Sequence, residues 1–306
     1  MLLNLTIFIL ACIVLAKSAQ LIIKTLVKLE KIFHLSDFSI GFILMAVATT
    51  LPELLVGINA AIKNNTALSL GNVIGSNIVN LTLILGIVII LSKKISTKTD
   101  LIEKNTFYMF LISLLPLLLM IDSTISRSEG LILILVFIFY IFKLTKHKLP
   151  KTNNHYKSTK KSFSIFIMGV FLLITSSYIV VEYATKLAVE LLLPPILIGL
   201  FLVAIGTSLP ELAFGIKASL KKHPKLSLGN LTGSVIVNST LVLGVTSIIR
   251  PITADFRLFL VASLFLILTT YLFFIFSKTD KKLTLKEGIV LILIYIAFLA
   301  TEFILK

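Results

Sequence analysis

Glu53 and Glu211 are the residues from which the chemistry of this chain has to be read. Each acid directly follows a proline inside a long apolar segment, as Leu51-Pro52-Glu53 and Leu209-Pro210-Glu211. An ionisable group in such a setting is costly and marks a functional site by default. Pro52 lacks an N–H and cannot donate to the carbonyl of Ala48, so backbone carbonyls around Ala46–Thr49 are expected to become available to another partner. In lipid, freed carbonyls persist only where they line a cavity or meet such a partner. Thr49 precedes Glu53 by four residues and shares its helical face. Ala204, Thr207 and Ser208 stand in the same setting before Pro210 and Glu211. Carboxylates, hydroxyls and carbonyls together form an all-oxygen set, which suits hard cations such as Ca²⁺ and Na⁺ and does not suit soft metals.

The two acids belong to an internal repeat. Residues 41–91 return without a gap as residues 199–249, with about half of the positions identical. Gly71 and Gly75 in one copy, and Gly229 and Gly233 in the other, have the four-residue spacing that lets membrane helices pack closely. Ser76 and Asn80 share a helical face, and Ser234 and Asn238 match them. A pseudo-twofold axis would bring these polar pairs to one centre around both glutamates. Two negative charges match one Ca²⁺ and leave weaker oxygen sites for monovalent ions. If those sites share the glutamates, the two ions compete, which is the physical basis of exchange. Taken singly, each feature has a plainer explanation: proline kinks are common, glycine spacing serves packing, hydroxyls bond their own backbone, and a buried glutamate can be a structural donor. The recurrence of all of them at one offset is what argues for a site.

The elements that position these residues are membrane helices. The chain has 306 residues, of which 57% are hydrophobic and only 14% charged, with a mean hydropathy of +1.06. Soluble domains carry about 25% charged residues. The net charge of +15 could suggest nucleic acid, but the lysines lie between apolar runs and not along one face. Cys12 is alone, which excludes a disulfide framework and reads as an apolar filler of the first helix. No cleavable signal peptide is expected. Apolar runs predict an all-α membrane protein of ten spans, roughly 3–30, 38–62, 69–91, 104–121, 128–145, 163–191, 195–220, 226–249, 256–277 and 285–305. Lysines concentrate in the odd-numbered loops, which are therefore expected to face the cytoplasm, with both termini outside. The basic segment 146–162 reads as a cytoplasmic linker between halves 1–145 and 163–306. Five spans on each side of it predict inverted repeats with the site at their interface near the midplane.

At these residues the chain resembles the cation/calcium exchanger superfamily, and within it the prokaryotic sodium/calcium exchangers. The resemblance rests on Thr49-Thr50-Leu51-Pro52-Glu53 and Gly206-Thr207-Ser208-Leu209-Pro210-Glu211, each followed by a Gly-Asn-x-x-Gly-Ser motif. It implies an antiporter that exchanges Na⁺ for Ca²⁺ across the plasma membrane by alternating access, with no cofactor, no enzymatic activity and a monomer as the working unit. By position, Glu53 and Glu211 would be shared ligands of Ca²⁺ and Na⁺, and Thr49 and Thr207 would bind Ca²⁺ largely through their carbonyls. Ala46, Thr50, Ala204, Ser208, Ser76 and Ser234 would serve flanking Na⁺ sites, with Asn80 and Asn238 lining the centre. The family further implies that spans 1 and 6 slide across the rest.

The repeats depart from one another at Ala48 against Gly206 and at Asn77 against Val235. Asn238 stands where some relatives, and the potassium-dependent exchangers, carry Asp, which argues against K⁺ cotransport. No acid follows Gly71-Asn72 or Gly229-Asn230, which argues against the Ca²⁺/H⁺ exchangers. Lys17, Gln20 and Glu182 are expected to snorkel or pair near an interface. His34, His147, His155 and His223 lie at span ends or in loops and are not expected to be ligands. The rival readings are the same scaffold coupled to H⁺ or K⁺ or carrying another divalent cation, and an uncoupled channel.

Overall fold

The computed structural model describes residues 1–30, 45–145, 160–279 and 281–304. Helix α1 spans Leu2–Glu30; α2 (Ala46–Thr49) and α3 (Leu51–Ile62) meet at Thr50; and α4 (Thr66–Val79) passes through a π turn at Asn80–Ile84 into α5 (Leu85–Ser92). Strand β1 (Lys94–Ser96), helix α6 (Asp100–Leu119), strand β2 (Thr124–Ile125) and helix α7 (Arg127–Thr145) follow. After residues 146–159, which lie outside the described residues together with most of the expected linker, a similar order returns. Helix α8 (Lys160–Glu190) precedes α9 (Pro195–Ile198), a π turn at Gly199–Val203, α10 (Ala204–Thr207) and α11 (Leu209–Leu220). Then come α12 (Pro224–Val237), a π turn at Asn238–Val242, α13 (Leu243–Ile249), β3 (Ile252–Thr253), α14 (Phe256–Lys278), β4 (Lys282–Thr284) and α15 (Leu285–Ile304). Among the described residues, seven helical stretches are both long and apolar enough to cross a membrane: Leu2–Ile22, Thr66–Ser92, Asp100–Asp122, Ile167–Glu190, Pro195–Leu220, Pro224–Ile249 and Arg257–Lys278.

Two antiparallel ribbons, unforeseen in the hydropathy pattern, join distant parts of the chain: β1 pairs with β4 and β2 with β3. Each is too short to stand alone. Each is anchored by buried apolar partners, Ile95 opposite Leu283 and Ile125 opposite Ile252.

The apolar core divides in two. The larger cluster joins α4, α5, α6, α12 and α14. A second cluster packs α1 against α8, with Phe8, Cys12, Leu15 and Ala19 facing Leu173, Val180, Ala184 and Leu187. Cys12 is buried there, as expected of a filler. The α1–α8 pair is tied to the α3–α4 hairpin by a polar ladder. Asn59 Nδ2 donates to Ser177 Oγ at 2.9 Å, Lys63 Nζ to Glu182 Oε2 at 3.3 Å, and Asn65 Nδ2 to Thr185 Oγ1 at 2.9 Å. Lys186 completes the Glu182 pairing at 2.8 Å, and Lys63 lies over the Tyr178 ring at 3.6 Å. Glu182 therefore pairs as expected, while Lys17 is exposed and Gln20 half-buried. His223 precedes the first turn of α12; His34, His147 and His155 lie outside the described residues.

Helix α4 meets the α9 region at backbone contact. A Cβ on Gly71 would stand 2.0 Å from the Ile196 carbonyl oxygen, and one on Gly75 would stand 2.1 Å from that of Leu200. Main-chain atoms in a packed helix cannot swing aside, so no larger residue fits. Gly75→Val is expected to cost at least the ~1–3 kcal/mol typical of overpacking. Gly169→Ala, whose new Cβ would meet the Ile22 side chain at 3.0 Å, should cost far less. Thermal unfolding of the purified variants in detergent checks the contrast.

Candidate cation site

Proline sets the geometry on both sides. The helix ends at Thr49, Thr50 takes φ −82° and ψ −1°, and α3 restarts with Pro52 in its first turn. Thr207, Ser208 and Pro210 repeat this, with Ser208 at φ −81° and ψ 0°. Each offset turns the following glutamate into the protein interior, and Glu53 and Glu211 are both fully buried.

The expected free carbonyls need one correction. The Ala46 carbonyl accepts the Thr50 N–H at 3.0 Å and the Thr50 hydroxyl at 2.6 Å. That of Ala204 accepts the Ser208 N–H at 3.1 Å, the Thr207 hydroxyl at 3.3 Å and, at 3.5 Å, the Ser76 hydroxyl. A hydroxyl within a turn of a carbonyl bonds back to it, so the proline break alone does not leave these two oxygens free.

The two repeats supply one another's partners. The Thr49 hydroxyl donates to Asn230 Oδ1 at 3.1 Å, and the Thr207 hydroxyl to Asn72 Oδ1 at 3.0 Å. Thr49 Oγ1 lies 3.4 Å from Ser234 Oγ, and Thr207 Oγ1 lies 3.2 Å from Ser76 Oγ. Thr50 Oγ1 lies 3.2 Å from Ser234 Oγ. Thr207 and Ser76 flank the Glu53 carboxylate as Thr49 and Ser234 flank that of Glu211. Ser234 donates to Glu211 Oε1 at 3.3 Å. Glu211 Oε2 and both oxygens of Glu53 are buried without a hydrogen-bond partner, as are both amide atoms of Asn80, Asn238 Oδ1 and Ser208 Oγ. A protein interior satisfies nearly all such groups. The carboxylate, hydroxyl and amide oxygens among them make an oxygen-rich set of the kind that fits a small hard cation.

The π turns begin at Asn80 and Asn238. Thr82 and Thr240 each donate to the carbonyl four residues back, Ile78 and Ile236, at 2.5 Å. A side chain on that carbonyl competes with the helical ladder at both places.

The sequence profile described as "Sodium/calcium exchanger protein" matches residues 3–146 and 161–304. The chain belongs to this family. It is 28% identical to the sodium/calcium exchanger MaX1 of Methanosarcina acetivorans, with 98% of each chain covered. It is 32% identical over 234 residues to the putative antiporter CaxA of Alkalimonas amylolytica, covering 72% of this chain and 73% of CaxA. A solved structure of the sodium-calcium exchanger NCX_Mj, soaked with 2.5 mM Na⁺ and 10 mM Sr²⁺, superposes with a TM-score of 0.75 at 29% identity over 98% of both chains. As a member of the sodium/calcium exchanger family, the chain is a membrane antiporter of the cation/Ca²⁺ class, and its relatives are transporters and not enzymes.

Of the twelve residues singled out above, contacts link Ala46, Thr49, Thr50, Ser234 and Glu211 on one side and Ala204, Thr207 and Ser76 on the other, while Ser208 stands in the broken turn and Asn80 and Asn238 open the π turns; Asn72, Asn230, Asn77 and Ser239, which went unassigned, supply further contacts. Asn72 and Asn230 carry a readable signal, since both follow a repeated glycine at the same offset. Asn77 and Ser239 carry none, because Val235 and Leu81 stand in their places in the other copy. Asn72→Leu removes the acceptor of the Thr207 hydroxyl and is expected to destabilise the protein by ~1–2 kcal/mol. Asn230→Leu should cost the same through Thr49. The sum in the double variant, read from melting curves, measures how far the two contacts act independently.

Proposed function

We propose that this antiporter exchanges Na⁺ for Ca²⁺ across the plasma membrane by alternating access. The reading is carried by one observation: two carboxylates are fully buried, each flanked by a threonine of the opposite repeat, with most of their oxygens unpartnered. In this reading Glu53 and Glu211 bind either ion, Thr49 and Thr207 contribute carbonyl oxygens, and Asn80 and Asn238 present amide oxygens to the centre. Ala46, Thr50 and Ser234 on one side, and Ala204, Ser208 and Ser76 on the other, serve flanking Na⁺ sites.

Ca²⁺ brings two charges to two carboxylates. Na⁺ ions matching the same charge must spread over the flanking positions, because two monovalent ions cannot share one coordination sphere. Each ion set therefore displaces the other through the shared glutamates. The hydroxyls that bond back to Ala46 and Ala204 or across to Asn72 and Asn230 hold their oxygens in place and keep lone pairs for a cation while the proton stays donated.

The topology in this reading is ten spans in two inverted five-helix halves, 1–145 and 163–306, joined by a cytoplasmic linker at 146–162, with both termini outside and a monomer as the working unit. Reciprocal contacts between repeats, matching π turns and a family match in two stretches support it. The rise of lysines in alternate loops supports the orientation.

In proteoliposomes, uptake of radioactive Ca²⁺ against its gradient should follow an imposed Na⁺ gradient and fail under a K⁺ or pH gradient alone. Glu53→Gln and Glu211→Gln should each reduce it to background. Uptake driven by pH with Na⁺ ineffective would move the chain to H⁺ coupling, and undiminished flux in both variants would refute the site assignment.

A further inference from the structure

Asn238 is held by a neighbour that its counterpart Asn80 lacks. Its Nδ2 donates to Asn77 Oδ1 at 3.0 Å, and Asn77 Nδ2 in turn donates to Ser239 Oγ at 3.1 Å. All three residues are buried, and Asn238 Oδ1 has no partner. Asn238 lies one turn beyond Ser234, which donates to Glu211, so its amide stands on the face turned to the carboxylates. Neither amide atom of Asn80 has a partner, and the other repeat offers Val235 and Leu81 where Asn77 and Ser239 stand.

An asparagine amide has two unlike ends. The oxygen is a hard cation ligand, while the NH₂ group only donates and repels a cation. We infer that Asn77, a positioning residue with no ligand role of its own, turns Asn238 so that its oxygen faces the transported cation. By occupying Nδ2, Asn77 leaves Oδ1 as the end presented, while Ser239 accepts from the Asn77 NH₂ and so leaves Asn77 Oδ1 to receive Asn238. The relay does for Asn238 what a carboxylate would achieve without help, since both carboxylate ends are oxygen. It also makes the two amides unequal: Asn238 is preset as an acceptor, whereas Asn80 can present either end. This rests on the proposed reading of Asn238 as ion-facing.

Ca²⁺ is the probe, measured as the half-saturating concentration in Na⁺-driven uptake and as equilibrium binding to the detergent-purified protein. Groups that orient a metal ligand commonly govern affinity by ~10–100-fold. Asn77→Val, which installs the residue of the other repeat, should raise half-saturating Ca²⁺ by about tenfold, more than any loss in maximal rate. Ser239→Ala should shift it in the same direction by less, and supplies the test if Asn77→Val does not fold. Asn238→Asp should make residue 77 irrelevant to affinity, so Asn77→Val/Asn238→Asp should bind Ca²⁺ as Asn238→Asp does. An Asn77→Val protein that folds and binds Ca²⁺ like the wild type overturns the inference. So does a double variant as weakened relative to Asn238→Asp as Asn77→Val is relative to the wild type. If Asn77→Val does not fold, an unshifted Ser239→Ala does the same. Asn238→Leu separates the two levels: if it leaves Ca²⁺ affinity unchanged, the ion-facing reading of Asn238 fails. If it weakens binding while Asn77→Val does not, only the relay fails.

Discussion

Two fully buried carboxyl groups govern this structure. A charge taken into an apolar interior loses the hydration of bulk water. Among the described residues, neither Glu53 nor Glu211 lies within ion-pair distance of a lysine or arginine; the ion pairs there involve Glu182 and Glu190. The fold meets the demand with neutral dipoles. Threonines, serines and asparagines from both repeats converge on the acids, and the hydroxyls are held by carbonyls and amides and not by opposite charge. A fixed cationic side chain would satisfy the pair permanently and leave nothing for an ion to do.

That demand explains the backbone. Neutral dipoles act only at short range, so the elements carrying them must approach closely. Gly71 and Gly75 allow α4 to touch the Ile196 and Leu200 carbonyls, which places Ser76 near Thr207 and the Ala204 carbonyl. Proline then sets each glutamate just beyond a broken turn, and the π turns at Asn80 and Asn238 widen the helix where the amides stand.

Most of this was legible in the sequence because the repeat states it twice. The acids, their prolines, the threonines one turn earlier and the serine–asparagine pairs recur at one offset, and a feature repeated at such cost is hard to read as accident. What remained hidden has physical reasons. The carbonyls of Ala46 and Ala204 looked free because a proline argument counts only the missing N–H, whereas the N–H groups of Thr50 and Ser208 still reach them and side-chain hydroxyls add to these. The hairpin into α12 reads as loop up to residue 226, but Pro224 sits comfortably in a first helical turn, where its missing N–H is not needed. The β ribbons are too short for periodicity to reveal. Asn77 and Ser239 break the repeat, so symmetry, which exposes everything around them, conceals them.

The ladder between α8 and the α3–α4 hairpin has a consequence of a different kind. Two identical halves facing opposite ways would make a molecule whose two ends were interchangeable, with no energetic reason to prefer one. Asn59, Lys63 and Asn65 correspond in the repeat to Lys217, Lys221 and His223, and at the same offset Ser177, Glu182 and Thr185 correspond to Ala19, Lys24 and Val27. The acid–base pair Lys63–Glu182 thus becomes two lysines, which cannot form it. The duplication left two matching repeats, and these few substitutions give one of them a tie to its neighbouring long helix that the other cannot copy.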